Sequence, residues 1–98
     1  MLIDYHGKDL ATSTRQEIYK TIEAESNFSA TAHNLKDPHG GAKGIAQFLQ
    51  PTYDHYSKGA GVVQGDIWDV DNQIKTMVYM FRIGEAKQWT AWRRLFIK

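Results

Sequence analysis

The segment IEAESNFSA, Ile22 to Ala30, carries two glutamates one residue apart, and they do not sit in equivalent places. Ile18, Ile22 and Glu25 fall at i, i+4 and i+7 of a helical register, so the three share a face. That lines up a carboxylate with residues that belong in a core, whereas Glu23 reads as a solvated surface residue. A half-buried carboxyl resists ionisation. The negative end of the helix dipole, close to Glu25, pushes the same way. Both effects produce an acid that holds its proton towards neutral pH, as a general acid must in order to protonate a poor leaving group such as a glycosidic oxygen. The competing reading is a structural ion pair between Glu25 and a Lys or Arg at the helix end.

A second constellation lies downstream in GAKGIAQFLQPTY, with Gly41-x-x-Gly44-x-x-Gln47 leading into a short apolar segment. The glycines would let the backbone approach a bulky ligand. The Gln47 amide offers both a donor and an acceptor to a sugar hydroxyl or N-acetyl group. Alone, this spacing has little specificity.

Taken together, ESNF, a polar loop, GAKGIAQF, PTY and then VDNQI before an apolar stretch resemble the lytic transglycosylase family of the lysozyme-like superfamily. The order and spacing match from about Ile18 to Met80, roughly two thirds of the chain. The resemblance implies that Glu25 is the sole catalytic acid and base, with Ser26 as its neighbour. It places the family's G-x-x-G-L-M-Q motif on Gly41, Gly44, Ile45, Ala46 and Gln47, and the Asn of a later helix on Asn72. Ala46 stands where the family usually has Met, and the loop from Asn34 to Gly40 is longer than in many members. The A-Y-N-x-G motif that brings a tyrosine to the family's site is missing; Trp89 or Trp92, in QWTAWRRLFIK, is the replacement expected here. By resemblance the substrate is the peptidoglycan glycan strand, cut at the β-1,4 bond between N-acetylmuramic acid and N-acetylglucosamine. Glu25 would protonate the bridging oxygen and then deprotonate the muramic 6-hydroxyl, which closes a 1,6-anhydro ring. No cofactor or metal is implied.

A hydrolytic lysozyme is the alternative, and it needs a second carboxylate. Asp37 is the first candidate and Asp54 the next, although an Asp before Pro is also an ordinary turn residue. Phe48, Tyr53, Asn72 and Trp92, with Ser26 and Gln47, are the expected substrate contacts. Tyr56, Trp68 and Tyr79 are further aromatics that could stack on sugar rings, with core packing as the default for each. His33, His39 and Asp37 match no common zinc spacing. Arg93, Arg94 and Lys98 form a small basic end without the aromatic alternation of a nucleic-acid module. A non-catalytic peptidoglycan-binding or assembly domain is the competing class of function.

These residues need a scaffold, and 98 residues allow one domain, 1–98. The chain is 42% hydrophobic, with three Trp, five Tyr and four Phe. It can therefore pack a small core. A net charge of +1 gives no global pull towards nucleic acid or an anionic membrane. Without cysteine there is no disulfide framework or thiolate metal site. The opening MLIDYHGKDLATST shows no signal peptide. A wall-acting protein of this kind is then expected to be delivered by a phage or to be a domain excised from a longer parent. A monomer, or part of a larger protein, is expected.

The expected fold is all-α, a small lysozyme-like helical domain with a long loop inserted between its first two helices. After an irregular lead-in, 1–12, Ser13 or Thr14 would cap a helix running to Glu25 or Ser26, with Gln16 or Glu17 completing a capping box. A loop over 27–43 precedes a short helix over 44–49 and another from Pro51 to about Lys58. Asp69 or Asp71 would cap the longest helix, Asn72 to Lys87, with Ile74, Met77, Val78 and Phe81 as its apolar stripe, widened by Met80 and Ile83, and with Gly84 inside it. A last short helix holds Trp89, Trp92, Leu95 and Phe96.

Overall fold

A computed structural model describes residues 2–37, 39–62 and 65–97. Pro38 of the Asp-Pro turn and Lys98 of the basic end lie outside these described residues. The protein is a mainly α domain: α1 (Leu2–His6), α2 (Thr12–Ser26), a hairpin of β1 (His33–Asn34) and β2 (Ala42–Lys43), α3 (Gln50–Gly59), α4 (Val70–Arg82), a 3-10 turn (Ala86–Gln88) and α5 (Thr90–Phe96). Among the described residues no helix is long and apolar enough to cross a membrane.

Helix α4 is the centre. Its stripe of Ile74, Met77, Val78 and Phe81, widened by Met80, is buried. Against it pack α1, α2 and α3, while α5 lies on α2. The α2 face contributes Ile18 and Ile22, both fully buried, with Thr21 between them donating to the Glu17 carbonyl at 2.7 Å. Phe48 and Trp89 close the core on the side of the hairpin, with ring centres 5.4 Å apart.

Several element boundaries differ from the sequence expectation, each for a local reason. The lead-in is not wholly irregular: α1 forms one turn that buries Ile3. Arg82 holds it in place through a two-pronged pair to Asp9 at 2.7 and 2.8 Å and a bond to the His6 carbonyl. Asp71 adds a 2.7 Å contact to His6. Helix α2 starts at Thr12, one or two residues before the expected caps, and no capping box forms; Ala11 precedes it without a side-chain cap. It stops because Asn27 and Phe28 both take the left-handed conformation, with the Asn27 amide bonded back to the Glu23 carbonyl.

The expected helix over 44–49 is absent. Lys43 and Phe48 exchange backbone hydrogen bonds at 2.9 and 3.0 Å and close a four-residue turn. Gly44 (φ 78°) and Gln47 (φ 54°) are both left-handed. No α-helix continues through such residues. The helix expected to be the longest, α4, ends at Arg82 rather than Lys87, and its 13 residues are fewer than the 15 of α2. Gly84 (φ 83°) lies past its end. The Glu85 amide bonds the Met80 carbonyl and the Gly84 amide the Phe81 carbonyl, a Schellman termination. At the other end Asp69 caps α4, accepting from the Asn72 amide at 2.9 Å.

Candidate active site

Glu25 sits in the last turn of α2, on the face of Ile18 and Ile22, and is half-buried. Burial is the main influence on its carboxyl and pushes the proton affinity above the ordinary glutamate range. The Ala91 backbone amide and the Arg94 charge pull the other way, and the Asp37 charge adds to the rise. No ion pair among the described residues includes Glu25, whereas Glu23 is exposed and pairs with Lys20.

Glu25 opens into a cleft of about 290 Å³. The loop and hairpin contribute Asp37 and Ala42 to its wall, and the turn contributes Gln47, Phe48 and Leu49. Thr52 from α3 and the run Gln88, Trp89 and Thr90 complete it. Apart from the two carboxylates, its polar side chains are neutral amides and hydroxyls. Such groups accept and donate hydrogen bonds without attracting a counter-charge, which suits a polyhydroxylated ligand.

The turn beside Glu25 is held by side chains from three different segments. Ser26 Oγ donates to the Ile45 carbonyl at 2.6 Å. Trp89 Nε1 donates to the Ala46 carbonyl at 2.8 Å. Gln73, fully buried in α4, accepts from the Ala46 amide at 2.9 Å and donates to the Lys43 and Ile67 carbonyls. This explains the two glycines differently from the expectation that they make room for a ligand. A Cβ on Gly44 would collide with the Gln73 amide, and one on Gly41 (φ 92°) would lie 2.7 Å from the Asn34 carbonyl. The backbone approached is the protein's own.

The expected contact residues divide accordingly. Gln47 lines the cleft, and its Nε2 already donates to the Ala32 and Gly44 carbonyls at 3.0 and 2.8 Å. What it offers a ligand is therefore its side-chain carbonyl, an acceptor. Phe48 lines the cleft as its apolar floor and is otherwise core. Ser26 serves the turn. Tyr53 is buried, its hydroxyl directed to the Asp66 carbonyl at 3.4 Å, and Asn72 meets that same carbonyl and Tyr53. Neither is among the residues that line the cleft. Of the two tryptophans considered, Trp89 lines it; Trp92 instead donates its indole N–H to Glu17 at 2.8 Å. Tyr56 bonds Glu85, Trp68 packs edge-on against His33, and Tyr79 lies over Gly59. Asp37 is in the cleft, whereas Asp54 accepts from Gln50 outside it. Among the described residues no group of His, Asp and Glu could hold a metal ion.

Sequence reasoning missed Gln73, Gln88, Thr52 and Thr90. Gln73 left a signal: it is a polar residue beside Ile74 in the most apolar helix, where an unpartnered amide would be costly. The other three are exposed or half-exposed polar residues whose pattern carries none. Compared with protein-family models, curated proteins and solved structures, the chain finds no match.

Proposed function

We propose that the protein is an enzyme that cleaves the glycan strand of peptidoglycan at the β-1,4 bond between N-acetylmuramic acid and N-acetylglucosamine, with Glu25 as general acid and then base. The observation that carries this reading is a glutamate half-buried at the end of α2, its proton affinity raised by burial, opening into a cleft whose other polar groups, Asp37 apart, are neutral. A carboxyl in that condition is suited to donate a proton to a bridging oxygen that makes a poor leaving group. The similarity of the ESNF and GxxGxxQ segments to the lytic transglycosylase pattern supports the same reading, as does the cleft position of Gln47.

In this mechanism Glu25 gives its proton to the glycosidic oxygen as the bond to the muramic C1 breaks. The resulting carboxylate takes the proton of the muramic 6-hydroxyl, whose oxygen attacks C1 from within the same residue. The attack is intramolecular, so no bound water or second carboxylate is required. The free Gln47 carbonyl would accept from an acetamido N–H. Ligand sites commonly span ~300–1,000 Å³. This cleft, at the small end, would enclose the sugars at the scissile bond rather than a long strand. The site of action would be the bacterial cell wall.

A second reading is favoured by one observation: Asp37 lines the same cleft and its charge raises the proton affinity of Glu25. There Asp37 would activate a water for hydrolysis, as in enzymes that use two carboxylates. The mass of soluble fragments released from purified peptidoglycan separates the readings. Fragments lighter by one water than hydrolysed muropeptides, and lost in Glu25→Gln, support the anhydro-forming reaction. Ordinary reducing ends, lost in Asp37→Asn as well, support hydrolysis. Binding without release by a folded parent protein would overturn both and leave a glycan-binding domain.

A further inference from the structure

Two adjacent arginines on α5 are in different states. Arg93 is engaged by its own segment, donating to the Lys87 carbonyl and to the Thr90 hydroxyl. Arg94 is exposed and, among the described residues, makes no hydrogen bond or ion pair through its side chain. Its place on the helix matters. Thr90 lines the cleft, and Arg94 follows it at i+4, so the two side chains lie on one face, a turn apart. A free guanidinium therefore stands at the α5 rim of a cleft that contains Glu25.

Resting on the glycan-cleaving reading above, we propose that Arg94 is a specificity residue that receives a carboxylate carried by the substrate beside the scissile bond, so that the enzyme prefers acidic strands over neutral ones of the same backbone. On a peptidoglycan strand that carboxylate is the lactyl group of an unsubstituted muramic residue or an acidic group of its stem peptide. The planar guanidinium suits the two oxygens of a carboxylate, and such charge-assisted bonds exceed neutral ones in strength. The cleft's other side chains give no reason to prefer an acidic ligand: Gln47, Thr52, Gln88, Thr90 and the protonated Glu25 are neutral, and the Asp37 carboxylate disfavours an anion. Arg94 is thus the group that would offset the Asp37 charge. Its field already reaches the Glu25 carboxyl and favours the ionised form. A bound carboxylate would cancel that field and leave Glu25 more firmly protonated when the acidic substrate is seated.

The test uses three ligands of equal length: peptidoglycan strands, the same strands with their carboxyls converted to amides, and N-acetylglucosamine oligomers. Calorimetric titration measures binding to the parent, Arg94→Gln and Arg94→Lys, and cleavage is followed in parallel. The expected result is about tenfold weaker binding of acidic strands by Arg94→Gln, equivalent to about 1.4 kcal/mol. Binding of the two neutral ligands should be unchanged, and Arg94→Lys, which keeps the charge but not the planar fork, should recover only part of the loss. On acidic strands the fall in kcat/KM should come chiefly through KM, which follows binding. Equal losses on amidated strands, or none on acidic strands, would overturn the assignment of Arg94. Titration also separates the two readings. Acidic strands bound through Arg94 but never cut would refute the catalytic function and keep the specificity. Cleavage indifferent to Arg94 would do the reverse. A parent protein that binds none of the three ligands would refute the assignment outright.

Discussion

Replacing Gln73 by Leu would test whether the turn beside Glu25 is held from α4. The side chain is fully buried and spans three backbone groups. Leucine is close to it in size but bonds none of them. The Lys43 carbonyl keeps a second partner in the Phe48 amide. The Ala46 amide and the Ile67 carbonyl lose the partner that Gln73 supplies. An orphaned buried group costs roughly 1–3 kcal/mol, so the pair costs about 2–6 kcal/mol. For a domain of this size each kcal/mol lowers Tm by roughly 4–8 °C. The expected fall is therefore at least about 8 °C by calorimetry, at a pH where the parent unfolds reversibly. Amide exchange localises the effect: Ala46 should be protected in the parent and lose protection in the variant beyond the global change. Gln73→Asn keeps the amide but shortens its reach by one methylene, and should also fail to restore the parent Tm. A fall below about 4 °C, with Ala46 protection intact, would refute the claim that Gln73 holds the turn.

Three further outcomes are expected. Gly44→Ala places a side chain at φ 78° and against the Gln73 amide. The left-handed backbone alone costs a non-glycine residue roughly 1–2 kcal/mol, and the measured loss in chemical denaturation should exceed that; an unchanged midpoint would contradict the packing. Trp89→Phe keeps an aromatic ring beside Phe48 and Phe81 but removes the indole bond to the Ala46 carbonyl. It should cost about 1–3 kcal/mol in the same assay. For Glu25 the sign follows from its raised folded pKa: the unfolded chain ionises first, so its stabilising contribution is complete below the unfolded pKa and is lost as pH rises through the folded one. Glu25→Gln should accordingly be as stable as the parent at neutral pH or more so, while Tm measured across pH loses part of its decline over that window; a clear loss of stability at neutral pH would indicate a structural ion pair instead.

Much of the scaffold was legible because long amphipathic helices announce themselves by period. Ile18, Ile22 and the stripe from Ile74 to Phe81 marked α2 and α4, and the same register singled out Glu25. Short elements carried no such signal. Five residues of α1 are too few for a period, and what holds them is Arg82, far along the chain. The turn Gly44–Gln47 reads as helix because Ile45 and Ala46 are apolar. Its true form depends on two left-handed residues and on hydrogen bonds from Ser26, Gln73 and Trp89, which are distant in sequence. Gly84 looked interior because the apolar pattern continues to Ile83, yet the helix has already ended and the left-handed glycine completes its cap. In the site, Asp37 and Gln47 arrive through loops, where sequence places no side chain. The choice between Trp89 and Trp92 depends on the 3-10 turn that precedes α5.

The reading of the site rests on Glu25 holding its proton more tightly than an ordinary glutamate. The most direct measurement is an NMR titration of the Glu25 side-chain carboxyl carbon in the labelled protein, assigned by its disappearance in Glu25→Gln. The midpoint is expected above that of an ordinary glutamate side chain, about 4.3 in peptides, and it should move up in Arg94→Gln and down in Asp37→Asn. A Glu25 midpoint at or below the ordinary glutamate value would contradict the account, because the residue would then be an ordinary ionised carboxylate with no proton to give.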